Sequence, residues 1–352
     1  DVYAGLYYTL KALNEEDYNS LEGHNDAVKS MVYAGNNLYT SGSDGKIFAW
    51  DIENPGTEPV LANESSDINR VLAVSEDEKY LAKGTDNGKI QIFDLKNGNQ
   101  LYKEFEGHIG GVWSMKFSPD GKTLYTSGAD STIFSWKMTS GEKSKIDKIS
   151  SRYRSIDISK KGDKLVAGSE AGIVSLIDLK TNSKKDIYKT EKTGVYSIAF
   201  NNKGNHVAIG DKSGAVIVYD IDKNQEIANH AAHSARVNDI KFSPDDKFLA
   251  TASFDGNVLL YETSNYNEEP IKMDDHNTWV LSITFSPVGN KLIAGCIDKL
   301  VRIWPTNADI MAENLCGKLK RNMTQDEWNR FVAEDIEYEK TCDGLSKGEG
   351  AK

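Results

Sequence analysis

Few side chains in this sequence are spaced for covalent chemistry. The six histidines are His24, His108, His206, His230, His233 and His276. His230 and His233 stand one helical turn apart, a spacing that lets two imidazoles face one metal ion. They lie between two predicted strands instead, and no metal site is expected. Cys296 reads as a core strand residue. Cys316 and Cys342 bracket a helical tail, where they would pair in an oxidising compartment and are otherwise expected to be reduced. No Walker-type phosphate loop and no Gly-x-Ser-x-Gly elbow occurs, so neither a nucleotide motor nor a serine hydrolase is expected, and no cofactor is called for. Recognition chemistry is better represented. The chain has only seven arginines, and each offers a planar donor fork suited to carboxylate or phosphate.

Composition limits what such groups can serve. Lys and Arg total 42 against 53 Asp and Glu, a net charge of −11, which disfavours indiscriminate binding to nucleic acid or to an anionic membrane. A hydrophobic content of 39% is enough to fill a core. Seven prolines against 29 glycines suit tight turns rather than proline-rich material. No apolar run approaches the ~18 residues of a membrane span. The chain opens at Asp1 without a signal-like stretch, so it is expected to be a processed form or an excerpt of something longer. A cytoplasmic location is expected, with a periplasmic or membrane-associated one left open.

The elements that must position these groups repeat. Seven segments end on a bulky apolar residue, at Trp50, Phe93, Trp136, Ile177, Tyr219, Tyr261 and Trp304, at steps of 43, 43, 41, 42, 42 and 43 residues. Each unit opens with a predicted strand, as in Val112–Phe117, where strict alternation puts Val112 and Ser114 on one face and Trp113, Met115 and Phe117 on the other. A turn follows, such as Ser118-Pro119-Asp120-Gly121. An anchor residue stands 24 positions before the closing residue in six units (Asn69, Val112, Tyr153, Val195, Val237, Val280). In the first unit, Val28 stands 22 before. A period of this length signals a stacked repeat architecture.

Together these features resemble the WD-repeat family over about Asp17 to Thr306, which implies an all-β fold, a seven-bladed β-propeller, with short helical N- and C-terminal extensions. The family's structural tetrad maps onto His24, Thr40, Asp44 and Trp50, and again onto His108, Thr126, Asp130 and Trp136. It maps in part onto His233, Thr251, Asp255 and Tyr261, and onto His276, Asp298 and Trp304 with Ala294 in place of the hydroxyl. The second, fourth and fifth units have Asn87, Ala171 and Ser213 at the Asp position, so those blades are expected to rest on apolar packing. The resemblance divides the chain into an N-terminal helix or linker (1–16), the propeller (17–306, with 17–22 as the closing strand of the seventh blade), a helical extension (307–342) and a flexible tail (343–352). In the N-terminal segment Val2, Leu6, Leu10 and Leu13 would share a helix face. In the extension Ile310, Met311, Leu315 and Leu319 form an apolar face, and Thr324–Glu327 is a capping box. The segment 321–342 resembles the extension of a bacterial group of WD-repeat proteins often joined to STAND-type NTPase, protease or helical-repeat modules. That likeness implies a place in signalling, although a tail packed on the propeller edge is the simpler expectation.

Propellers of this family bind partners where the first strand of each blade begins, around the central channel. Three columns of each repeat are implied to face there: the residue before the anchor, the one after it, and the one before the Asp position of the tight turn. They contain six cations (Lys29, Arg70, Arg152, Arg154, Lys212, Arg236) and two anions (Asp86, Glu170), on a chain that is acidic overall. Trp113, Tyr196, Phe254 and Trp279 interleave with them. Arginine and aromatic residues are enriched at binding hot spots. The expected function is a non-catalytic protein-interaction scaffold or sensor, binding an acidic or phosphorylated segment through Lys29, Arg70, Trp113, Arg152, Arg154, Tyr196, Arg236, Phe254 and Trp279. The partner would be a protein or peptide, or another domain of a longer chain. Local ion pairing of the arginines with Asp86 and Glu170 is the competing expectation. A glycosidase-like hydrolase using those two carboxylates and nucleic-acid binding through the basic ring are the rival functions.

Overall fold

The structure is a computed structural model that describes Leu6 and residues 20–54, 57–190, 193–274, 276, 278–306, 308–317, 319–331, 337, 338, 340 and 342–346. Apart from Leu6, the N-terminal helix expected over residues 1–16 lies outside the described residues. So do residues 17–19 of the expected closing strand, and 347–352 of the tail.

Among the described residues, seven four-stranded antiparallel sheets follow one another along the chain. Six of them take their four strands consecutively. The seventh combines Val280–Phe285, Lys291–Cys296 and Val301–Pro305 with Ser20–Leu21 from the other end of the propeller sequence. Leu21 pairs with Val301 and Ser20 with Arg302. A small sheet buries both faces only between two neighbours, so a ring of such sheets has to close on itself, and this pairing closes it.

Strict alternation fails in the first strand of every blade. The register slips between Val28/Ser30, Asn69/Val71, Val112/Ser114, Tyr153/Ser155, Val195/Ser197, Val237/Asp239 and Val280/Ser282. Each slip is a β-bulge, in which one extra residue leaves the ladder and its side chain is re-aimed. Trp113 therefore does not share a face with Met115 and Phe117. Val112 joins those two in one apolar cluster, and Trp113 lines the central cavity.

The anchors are fully buried in all seven blades. Four of them seat on a glycine of the preceding blade. A Cβ added to Gly84, Gly168, Gly210 or Gly295 would stand only 2.4–2.9 Å from Val112, Val195, Val237 or Val28 respectively. The last of these contacts joins the seventh blade to the first. The inner strand of each sheet has no strand beside it toward the channel, so its N–H groups need other acceptors. Side chains of the preceding blade supply them. Ser30 Oγ accepts from the Leu72 N–H at 3.0 Å, Ser114 Oγ from Ile156 at 3.2 Å, Ser155 Oγ from Ile198 at 3.2 Å, and an Asp239 carboxylate oxygen from Ile283 at 3.0 Å.

The residues assigned to the tetrads come together in three blades. His24 lies 2.8 Å from Thr40 Oγ1 and 3.0 Å from Asp44, and Trp50 Nε1 donates to Thr40 at 2.7 Å. The same chain joins His108, Thr126, Asp130 and Trp136. In the sixth blade His233 meets Thr251 and Asp255, and Tyr261 is buried at the Trp position. In the seventh, Asp298 accepts from Arg302 at 2.8 Å and His276 packs on the Trp304 ring, with centroids 4.9 Å apart.

The second blade rewires the position rather than emptying it. Counting back from Phe93, Lys83 falls where Thr40 and Thr126 stand, and Ser65 falls where the histidines stand. Lys83 is completely buried, and its Nζ donates to Asn63 Oδ1 at 3.0 Å and to Ser65 Oγ at 3.1 Å. Burial brings its pKa down to about 8. The folded chain thus favours the neutral amine, and protonation costs stability at neutral pH. That cost falls as pH rises through about 8 and is gone above the ordinary lysine value of about 10.4. Lys83→Met is expected to stabilise the propeller by ~1–2 kcal/mol at pH 7 and by nothing above pH 10.5, as read from urea midpoints at both pH values.

The described residues from Pro305 onward belong to a second compact unit. Its described helices are α1 (Ala308–Cys316) and α2 (Gln325–Phe331). Thr324 and Glu327 cap the start of α2 reciprocally, at 2.8 and 3.1 Å, and Arg321 clamps Glu327 with two further bonds. Cys316 and Cys342, expected to be reduced, form a disulfide with a Cα–Cα separation of 5.5 Å. The reason is a fold-back of the chain. Buried Asn322 donates to the carbonyls of Cys342 and Leu345 and accepts from the Cys342 N–H, which folds that segment back. Val332 and the Ile310 and Phe331 side chains lie outside the described residues, while Leu319 is exposed.

Candidate functional site: the channel mouth

The bulges create the site. Their seven extra residues are Lys29, Arg70, Trp113, Arg154, Tyr196, Asn238 and Leu281, and all seven line the central cavity, which has a volume of about 530 Å3. The other two columns are tied together by the backbone. In every blade the residue preceding the tight-turn position donates its N–H to the carbonyl of the residue preceding the anchor, from Ser43 to Ala27 at 2.9 Å round to Ile297 to Trp279 at 3.1 Å.

From the second blade to the seventh, cations and rings alternate in contact. The Arg70 guanidinium lies 4.4 Å from the Trp113 ring centroid, and that of Arg154 lies 3.6 Å from the same ring and 5.0 Å from Tyr196. Arg236 lies 4.6 Å from Tyr196 and 4.0 Å from Phe254, which stacks on Trp279 at 4.5 Å with the rings 3° from parallel. Each cation–ring contact contributes ~0.5–2 kcal/mol, more as water is excluded. Lys29 lines the same cavity in the first blade. Arg152 reaches Glu170 at 4.0 Å and is otherwise half exposed.

The cations are not equivalent. Arg70 pairs with Asp86, and Arg154 Nε donates to Glu170 at 2.6 Å. The local pairing that competed with partner binding therefore occurs at these two positions. It also commits both ring carboxylates to arginines on either side of Trp113, whereas a glycosidase needs two carboxyl groups facing a sugar between them. Arg236 is different. Its Nη2 donates to Asn238 at 3.0 Å, yet its Nε–H is buried with no partner among the described residues. The Trp113 Nε1–H is in the same position. An orphaned buried donor costs ~1–3 kcal/mol. Burial, with Arg154 and Arg70 nearby, lowers the pKa of Arg236, and burial together with Arg70 and Arg236 lowers that of Lys29. These positive charges repel one another across the mouth. Apolar surface stands beside them, with Trp279 48% and Ile297 37% exposed.

A family model described as the IFT122 first beta-propeller matches residues 60–305. The chain belongs to this propeller family. A second model, the WD domain, G-beta repeat, matches residues 16–51 of this WD-repeat propeller. Protein groucho of Drosophila melanogaster is 31% identical over 157 residues, which is 44% of this chain and 21% of that protein. The matched part thus spans about a fifth of that relative's length.

Spacing alone could place the three columns, but not the bulge that aims the middle one. Nor could it show that Arg70 and Arg154 are neutralised while Lys29 and Arg236 repel each other. Lys83 holds the register of Thr40 and Thr126, but a lysine has no counterpart in the tetrad pattern. The constant offset of ten residues from the closing residue is the signal that singles it out.

Proposed function

We propose that the channel mouth captures an acidic or phosphorylated segment of a protein partner, or an acidic loop of a neighbouring domain. One observation carries this reading: a continuous arginine–aromatic belt at the mouth of an otherwise acidic chain, with two buried donors aimed at no acceptor. An oxyanion beside Arg236 supplies an acceptor for its donor and relieves the repulsion between Lys29 and Arg236. Arginine forks hold such groups with two parallel bonds.

The triple substitution Arg152→Ala, Arg154→Ala and Arg236→Ala tests it. Labelled Glu-rich peptides, their phosphoserine counterparts and Lys-rich controls are titrated against both proteins by fluorescence anisotropy. Wild type is expected to prefer the anionic peptides, and less so at high salt. The triple variant is expected to lose at least about tenfold in affinity while melting within a few degrees of wild type. Equal affinity of the two proteins for the anionic peptides rejects the reading.

A further inference from the structure

We infer that the mouth contains two adjoining subsites, so that the captured segment presents an anionic side chain two or three residues from an aromatic or large apolar one. This rests on the capture reading above and adds the geometry of the partner.

The anionic subsite is centred on Arg236, with Lys29 across the mouth. Arg70 and Arg154 do not serve it directly, because Asp86 and Glu170 already occupy their forks. They hold Trp113 and Tyr196 in place between the charged groups. The apolar subsite is the parallel pair Phe254 and Trp279, continued by Ile297, whose N–H bonds the Trp279 carbonyl. Trp279 is half exposed although it is large and apolar.

Arg236 joins the two subsites. Its guanidinium covers Phe254 at 4.0 Å, and its carbonyl accepts the Phe254 N–H at 3.1 Å. Steps of 4.0 and 4.5 Å put the Trp279 ring within about 9 Å of the charge. An extended peptide covers that distance in two or three residues, at ~3.3–3.6 Å each. A partner with a carboxylate or phosphoryl group alone therefore leaves the apolar pair uncovered, and an apolar segment alone leaves the Arg236 donor unpaired.

The test uses peptides of identical composition. In one, a Glu stands two residues from a Trp; in another, the same residues stand about eight apart; a parallel pair carries phosphoserine for Glu. Each is titrated by anisotropy against wild type, Trp279→Ala and Arg236→Gln. The close spacing is expected to bind at least about tenfold more tightly than the distant one in the Glu pair, the phosphoserine pair or both, and the better pair identifies the anion. Trp279→Ala should erase the spacing preference but keep the preference for anionic over Lys-substituted peptides. Arg236→Gln should lose the latter. If close and distant spacings bind alike in both pairs, yet more tightly than the Lys control, the two-subsite inference falls while acidic capture stands. If no anionic peptide outbinds the Lys control, both fall. Thermal melts of the variants verify that each is folded.

Discussion

Gly295→Val is expected to cost about 3 kcal/mol or more and to lower the urea midpoint sharply, because it wedges the seam where the ring closes. The Cβ of any residue at this position would lie 2.7 Å from Val28 Cγ1 and 3.3 Å from the Met31 sulfur. Neither neighbour can retreat, since both are buried in the cluster that joins the seventh blade to the first. Overpacking a filled core costs ~1–3 kcal/mol, and more where the backbone has to move. Here backbone movement means separating two blades. A double-mutant cycle with Val28→Ala makes the assignment specific. In wild type Val28→Ala opens a cavity and destabilises. In Gly295→Val it removes the obstruction and should restore stability. Gly344→Ala, with nothing within 4 Å of its added Cβ, is the control and should stay within ~0.5 kcal/mol. If Gly295→Val melts like Gly344→Ala, the closure described above is wrong.

Thr126→Val should have a comparable effect for a different reason. Thr126 is fully buried, 2.8 Å from His108 Nε2 and 3.0 Å from Trp136 Nε1. The donors and acceptors fix one direction for the chain of bonds. The Trp136 N–H donates to Thr126, the Thr126 hydroxyl to His108 Nε2, and His108 Nδ1–H to Asp130. Valine keeps the volume but strands two buried polar groups at ~1–3 kcal/mol each. A loss of about 3 kcal/mol is expected by urea unfolding. Ala167 and Ile209 fill the same register in the fourth and fifth blades and are equally buried. An apolar residue is acceptable there because its neighbours are not a histidine and an indole.

The network also sets a pH response. Burial lowers the pKa of His108, with Asp130 opposing it, so the folded state favours the neutral imidazole. That stability is present above the ordinary His value of about 6.5 and is lost as pH falls through the lowered one. For Asp130, burial raises the pKa, but the contact with His108 and the Ile109 and Thr132 N–H bonds together outweigh it and the net shift is downward. Its contribution is present above about pH 4 and disappears below it. Both act in the same direction, so the wild-type midpoint should fall on acidification from pH 7 to 5 and again below pH 4. A flat profile across both windows contradicts the bonding scheme.

Much of the architecture was legible in the chain alone. Repeats 41–43 residues apart set the number of blades, and the His, Thr, Asp and Trp offsets marked three of the tetrads. The seventh was only half legible, since Asp298 bonds Arg302, a residue outside the repeat pattern. The state of Cys316 and Cys342 was not legible, because it depends on how Asn322 folds a remote segment back.

At the channel mouth the division is sharper. Sequence by itself determined which positions are equivalent from blade to blade, because a constant register places equivalent residues at equivalent points of a ring. Only the tertiary structure decided their direction, pairing and company. The bulge that turns Trp113 inward, the carboxylates that neutralise Arg70 and Arg154, and the buried Arg236 Nε–H all depend on distances of a few ångströms between neighbouring blades. Coulomb and hydrogen-bond energies change steeply over such distances, and no spacing along the chain encodes them.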